Sequence, residues 1–148
     1  MQIRKMSVGD YENAYGIWRN TPGMGLNAVD DSKAGITKYL LRNPETCFVA
    51  EHNGEIIGTI LSGHDGRRGL IYHLAVKSAE RERGAGNALL ESAMEALRNE
   101  GIQKVYVIVL KNNQTGNAFW EKRGFLIPGE SIYRAKEICP IEHIKINL

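Results

Sequence analysis

The stretch Arg81-Glu82-Arg83-Gly84-Ala85-Gly86-Asn87 sets two arginines and two glycines in a short turn between an apolar run, Leu70 to Val76, and a strongly amphipathic segment. A turn leading from strand into helix leaves the first helical N–H groups without intrahelical partners, beside the positive end of the helix dipole. Glycines at 84 and 86 let a ligand approach those groups closely. The chemistry this suits is the binding of a phosphate-bearing ligand. Two other phosphate motifs are excluded. A dinucleotide fingerprint needs a third glycine at position 89, which is Leu89, and a nucleotide P-loop needs Gly-Lys-Ser/Thr, which the stretch lacks.

Polar groups able to act on a bound ligand are few. Alternation along the strand puts Leu70, Tyr72, Leu74 and Val76 on one face, so Tyr72 is the group able to look toward a substrate. His73 then points the opposite way unless a bulge intervenes. A lone Tyr or His in a strand also has a purely structural reading, as does an Asn such as Asn113 that can cap the next helix. His52, His64 and His143 lack metal-ligand spacing, and no metal is expected.

The elements that must position these residues follow from periodicity and punctuation. Ile3 to Met6 reads as a strand, Ser7 and Asp10 as a helix cap, and Val8, Tyr11, Ala14, Tyr15 and Trp18 as one helical face. Thr21 to Asp31 is a long irregular loop, with Asp30 and Asp31 read as capping residues for a helix from Ser32 that ends by Asn43, before Pro44. Thr46 to Glu51 and Glu55 to Ser62 form a hairpin about Asn53-Gly54, and the Leu70 to Val76 strand extends it to a meander. After Gly86, Leu89, Leu90, Ala93, Met94 and Leu97 share a helical face, and Gly101 ends that helix. Val105 to Leu110 is apolar on both faces, as a central strand would be, and pairs in parallel with Leu70 to Val76 through the crossover helix. Asn113 to Arg123 reads as a short helix closed by Gly124, followed by a last strand near Ile132 to Ile138.

With 148 residues, 43% hydrophobic and 24% charged, the chain fits one globular domain. A net charge of +2 gives no whole-molecule basis for a nucleic-acid partner. Cys47 and Cys139 read as free thiols of a reducing compartment. No apolar run approaches the ~20 residues of a membrane span, and the first residues lack the apolar core of a signal peptide. A soluble, cytoplasmic protein without a membrane partner is expected.

Arg81 to Gly86 fits the pattern Arg/Gln-x-x-Gly-x-Gly/Ala. Leu74-Ala75-Val76 precedes it, Leu89-Leu90 follows, and beyond the next strand come Asn113 and Phe119-Trp120-Glu121-Lys122-Arg123-Gly124-Phe125. In this order and spacing the chain resembles the GNAT superfamily, the GCN-related N-acetyltransferases, from Glu45 to Phe125. The resemblance implies an α/β (α+β) acyl-CoA N-acyltransferase fold, with a mixed central sheet of about six or seven strands flanked by about four helices, as a single domain over residues 1–148. It implies acetyl-CoA as co-substrate. The backbone of Leu74, Ala75 and Val76 would pair with pantetheine, and Arg81, Glu82, Arg83, Gly84, Ala85, Gly86 and Asn87 would surround the pyrophosphate. Asn113 and Trp120 would lie near pantetheine and thioester.

The implied reaction is direct attack of a primary amine, of a small molecule or a protein, on the thioester, with Tyr72 the candidate catalytic residue. Trp120 departs from the family pattern, which usually has a tyrosine there able to protonate the leaving thiolate; an indole donates a hydrogen bond but is no practical acid. Gly116 likewise replaces the usual alanine. These departures, with no evident carboxylate base, leave a non-catalytic acyl-CoA-binding or regulatory module as the alternative. The acceptor, and whether the chain is a monomer or homodimer, are open at this level.

Overall fold

The computed structural model describes residues 1–145. In chain order the elements are β1 (Gln2–Lys5), α1 (Tyr11–Arg19), β2 (Leu26–Asn27), α2 (Lys33–Arg42), β3 (Phe48–His52), β4 (Glu55–His64), β5 (Gly69–Val76), α3 (Ala85–Asn99), β6 (Val105–Val107), α4 (Gln114–Lys122) and β7 (His143–Ile144). Five strands form a mixed sheet in the order β1-β3-β4-β5-β6, antiparallel throughout except for the parallel pair β5 and β6. β2 and β7 make a separate two-stranded ladder. No helix among the described residues is long and apolar enough to cross a membrane.

Local sequence chemistry sets most boundaries. Ser7 and Asp10 form a capping box at the turn leading into α1. The Ser32 hydroxyl accepts the Gly35 N–H at 3.0 Å and starts α2, which ends at Arg42 before Pro44. Asn53 (φ 52°) and Gly54 (φ 77°) make the tight turn between β3 and β4. On one face of the sheet, α1 and α2 bury Trp18 and Ile36 against Val49 and Leu61. On the other, α3 packs Leu89, Leu90 and Ala93 on Ile57, Ile60 and Ile71, with Trp120 of α4 alongside. Each leucine, isoleucine or valine among them contributes roughly 1.5–3 kcal/mol by leaving water. The sheet is thus gripped on both faces between its second and fourth strands.

Three sequence expectations need correction. Among the described residues the central sheet has five strands rather than six or seven, although seven strands form in all. Val105 to Leu110 is not a covered central strand: β6 stops at Val107, lies at the sheet edge, and leaves Tyr106, Ile108 and Leu110 exposed. Its apolar character reflects the cleft it borders rather than two covering layers. The strand expected near Ile132 to Ile138 does not form, and Ile138 is 98% exposed. The chain is anchored by Phe125 in the α3-side core and by β7, where Ala28 N–H donates to Glu142 O at 2.9 Å. Between those anchors it has no sheet neighbour.

Arg4 ties three elements together. Its guanidinium holds the Asp10 carboxylate through two bonds of 2.8 and 2.9 Å and reaches Glu51 of β3 at 2.7 Å. Burial alone would raise the Asp10 pKa, but hydrogen bonds from Arg4 and from Ser7 outweigh it and hold the carboxyl below its ordinary value. A carboxyl depressed in the folded state contributes stability that is complete above its unfolded pKa and lost as pH falls through the folded one. Asp10→Ala should therefore cost about 1–2 kcal/mol in urea unfolding at pH 7. That deficit should begin to shrink as the pH falls below about 4, where the carboxyl of the unfolded parent chain takes its proton, and vanish once the folded one is protonated too; a deficit independent of pH would contradict the assignment.

Candidate active site

β5 and β6 pair only from Gly69 and Val105 to Ile71 and Val107. Directly after this pairing ends, His73 adopts φ 49°, and His73 and Leu74 together stand opposite one residue of β4, between the pairs Leu61 with Tyr72 and Thr59 with Ala75. This is a β-bulge on a non-glycine residue, a conformation costing on the order of 1–3 kcal/mol. Its anchors are buried. The Thr59 hydroxyl donates to His73 O at 2.8 Å and itself accepts the Trp18 indole N–H at 2.9 Å. His73 Nε2 lies 2.5 Å from Asp31 Oδ1, with the two side chains only 9% and 6% exposed, and the Trp18 ring packs 4.6 Å from the imidazole.

The bulge overturns the expected alternation. Tyr72 faces the α1 and α2 side, edge-on to Tyr39 at 5.9 Å, whereas Leu74 and Val76 pack on the α3 side. His73 joins Tyr72 rather than opposing it, because the extra residue shifts the pleat by one. Asp31 is likewise no helix cap. Its Oδ1 meets His73, its Oδ2 accepts the Asn27 N–H at 2.8 Å, and Asp30 accepts from the Asn27 side chain. The loop from Thr21 to Asp31 is therefore fastened to the bulge. Burial raises the Tyr72 pKa, with Tyr133 and Asp30 adding to it, so the phenol stays protonated at neutral pH.

Beyond the bulge, β5 presents a backbone edge with no neighbouring strand, where Arg81 Nε donates weakly to Val76 O at 3.5 Å. Lys77 N–H donates to Ile57 O of β4 at 2.8 Å, so strand alternation turns the N–H and C=O of Val76 and Leu74 the other way, into the gap. At the gap's end Gly84 (φ 81°) starts α3 in a left-handed conformation without a side-chain cap. The first bond of that helix runs from Ala88 N–H to Gly84 O at 3.0 Å, which leaves the N–H groups of Ala85, Gly86 and Asn87 without intrahelical acceptors. Opposite them stands α4. Asn113 caps it, its Oδ1 accepting Gly116 N–H at 2.9 Å, and a Cβ at position 116 would lie 2.4 Å from the Asn113 amide. Glycine at 116 makes that tight cap sterically feasible. Trp120, 8% exposed, packs edge-on to Phe119 at 5.2 Å and Phe125 at 4.9 Å.

Together these walls enclose a cleft of about 800 Å³. Twelve of the thirteen candidate residues line it: Tyr72, Leu74, Ala75, Val76, Arg81, Glu82, Gly84, Ala85, Gly86, Asn87, Asn113 and Trp120. Arg83 is the exception, turned away toward Glu80, at 3.4 Å, and His52. Asn113 thus both caps a helix and faces the cleft. Sequence reasoning set His73 on the opposite face unless a bulge intervened; the bulge forms, and His73 becomes a carboxylate-paired wall residue, although nothing local announced it. That reasoning missed Phe119 and Arg123, whose i, i+4 spacing on α4 was the available signal. Chemically, the cleft offers helix N–H groups and Arg81 for an anion at one end. A free strand edge follows, and a tyrosine and a histidine stand at the other end.

Known proteins share this architecture. Ard1 from Thermoplasma volcanium superposes with a TM-score of 0.77 at 25% identity, over 86% of this chain and 84% of that one. The PaiA N-acetyltransferase from Thermoplasma acidophilum, solved in complex with coenzyme A, does so at 0.75 and 20% identity, over 86% and 90%, a likeness of fold. In sequence, an acetyltransferase of Pectobacterium atrosepticum is 33% identical over 122 residues, which make up 82% of this chain and 85% of that protein. One of Photorhabdus laumondii is 34% identical over 122 residues, 82% and 84% of the two chains. The model of the Acetyltransferase (GNAT) family matches residues 11–125. With its mixed sheet, parted strands and open helix N-terminus, the chain belongs to the GNAT family and is an acetyltransferase.

Proposed function

We propose that this chain, as one domain over residues 1–148, moves an acetyl group from acetyl-CoA to a primary amine of a small molecule or protein by direct attack. The observation that carries the reading is the continuity between the free edge of β5 at Leu74 to Val76 and the open N-terminus of α3 at Ala85 to Asn87. The first matches the paired amides of a pantetheine arm, as an added strand would. The second matches a pyrophosphate, with Arg81 beside it. Coenzyme A in the PaiA complex supports the choice of ligand.

The thioester then lies near the bulge, with the Leu74 N–H, the group of that edge nearest the bulge, aimed into the cleft as a donor to the acetyl oxygen. The acceptor enters past the Thr21 to Asp31 loop, sheds its ammonium proton, and attacks the carbonyl carbon; the C–N bond forms, the C–S bond breaks, and CoA leaves as a thiolate that is protonated. Tyr72, protonated at neutral pH, serves this site as a hydrogen-bond donor rather than a base. His73, held by Asp31 through Nε2, has its second ring nitrogen left to exchange a proton with the amine or a water. Trp120 closes the apolar wall and supplies no proton.

The direct test is release of free CoA from acetyl-CoA across a panel of amines and peptides; silence with every acceptor would favour a binding module instead. Gly86→Glu fits sterically, since a Cβ there meets nothing closer than the Phe119 ring at 3.7 Å, but it sets a carboxylate against the pyrophosphate. It should weaken acetyl-CoA binding by at least ~10-fold in calorimetry, and unchanged affinity would overturn the pyrophosphate assignment. Tyr72→Phe should lower turnover at least ~10-fold with acetyl-CoA affinity nearly unchanged; turnover equal to the parent's would remove Tyr72 from the mechanism.

A further inference from the structure

α4 spans the cleft from end to end. Its N-cap, Asn113, lies at the acceptor-loop end, 3.3 Å from where a Cβ of Gly23 would stand. Its C-cap, Arg123, lies at the opposite end, beside the first turn of α3. Two residues lining the cleft carry a permanent positive charge, among those described: Arg81, which follows β5, and Arg123 on the facing wall. The Arg123 guanidinium is stacked 3.6 Å from the Phe119 ring centroid, and Phe119 in turn is the side chain closest above Gly86. Its Nε donates to Asn87 Oδ1 at 3.0 Å and its Nη1 to Phe119 O at 3.1 Å. Two edges of the fork are thereby fixed, and Nη2 has no partner among the described residues.

We propose that Arg123 binds the ribose 3′-phosphate of coenzyme A and makes the enzyme discriminate coenzyme A from its 3′-dephospho form. This rests on the acetyl-CoA reading above. In that reading the pantetheine arm runs from the bulge along Leu74 to Val76, and the helix N–H groups with Arg81 take the pyrophosphate. What remains of the ligand is the adenosine end with its third phosphate. It must leave beyond the first turn of α3, where Arg123 waits. A cation held by a ring, an amide and a carbonyl has little freedom left to lose on binding, and a guanidinium suits a phosphate geometrically. Capping the last turn of α4 through Phe119 O is the role Arg123 would have if it were structural only.

Calorimetry of the full chain with coenzyme A and with 3′-dephospho-coenzyme A separates these roles. The parent should bind coenzyme A about tenfold or more tighter, the worth of a charge-assisted hydrogen-bonded pair. Arg123→Gln should bind both ligands alike, at the parent's affinity for the dephospho form, and Arg123→Lys should keep part of the preference because it keeps the charge. Equal weakening toward both ligands in Arg123→Gln would assign Arg123 to the pyrophosphate or to helix stability and overturn the proposal. So would a parent without preference, or an Arg123→Gln protein that retains it. A parent that binds neither ligand would overturn the acetyl-CoA reading itself, an outcome distinct from all of these. A thermal melt of each variant shows that it is folded when titrated; if Arg123→Gln does not fold, the Lys variant carries the test, and an undiminished preference there overturns the proposal.

Discussion

The parting of two strands is the constraint on which the molecule depends. β5 and β6 share three residue pairs and then separate, and a parallel pair that loses its ladder leaves hydrogen-bonding groups in need of other partners. The bulge at His73 is how the chain accomplishes this. It bends β5 off the course of β6 while β5 keeps its pairing with β4 on the other edge. The left-handed backbone it requires is costly for a histidine, so three buried groups hold it. Thr59 binds its carbonyl, Trp18 fixes Thr59 and packs on the ring, and Asp31 takes the imidazole nitrogen. Without those anchors the strain would be relieved by re-forming a regular ladder, and the cleft would narrow.

The two ends of the cleft are built by different means. The anion end is made of backbone, from Gly84 to Asn87, and needs no unusual side chain beyond the arginines near it. The acceptor end is assembled from distant parts of the chain. Tyr72 and His73 come from β5, Asp31 from the loop before α2, and Tyr39, whose buried hydroxyl lacks a partner among the described residues and whose pKa is raised by that burial, from α2 itself. Cys47 lies in the same layer, its thiol pushed up to about 12 by burial, so it stays neutral and inert.

This difference explains what could be read from residues alone. Local, periodic and punctuated features were legible: the Asn53-Gly54 hairpin, the Ser32 cap, the α3 stripe and the glycine turn before it all obey rules that act within a few residues. Most of the candidate site residues came instead from the resemblance to the GNAT pattern that the glycine turn anchors; twelve of the thirteen line the cleft, and Arg83 does not because its side chain is captured by Glu80. What was not legible depends on contacts between distant residues. The bulge at His73 follows from Asp31, forty-two positions away, so strict alternation put Tyr72 with Leu74 when the structure separates them. The expected strand at Ile132 to Ile138 failed for the same reason, since its neighbour was set by where β7 is tied.

The pairing of His73 with Asp31 has a thermodynamic consequence. One contact joins the loop that borders the acceptor to the bend that shapes the thioester end, so the two segments share a single conformational equilibrium. A ligand that favours the joined state from one side prepays ordering that a ligand on the other side would otherwise bear. By linkage the benefit is mutual and of equal size. The two substrates can in this way strengthen each other's binding beyond what their direct contact supplies, through a contact between distant parts of the chain.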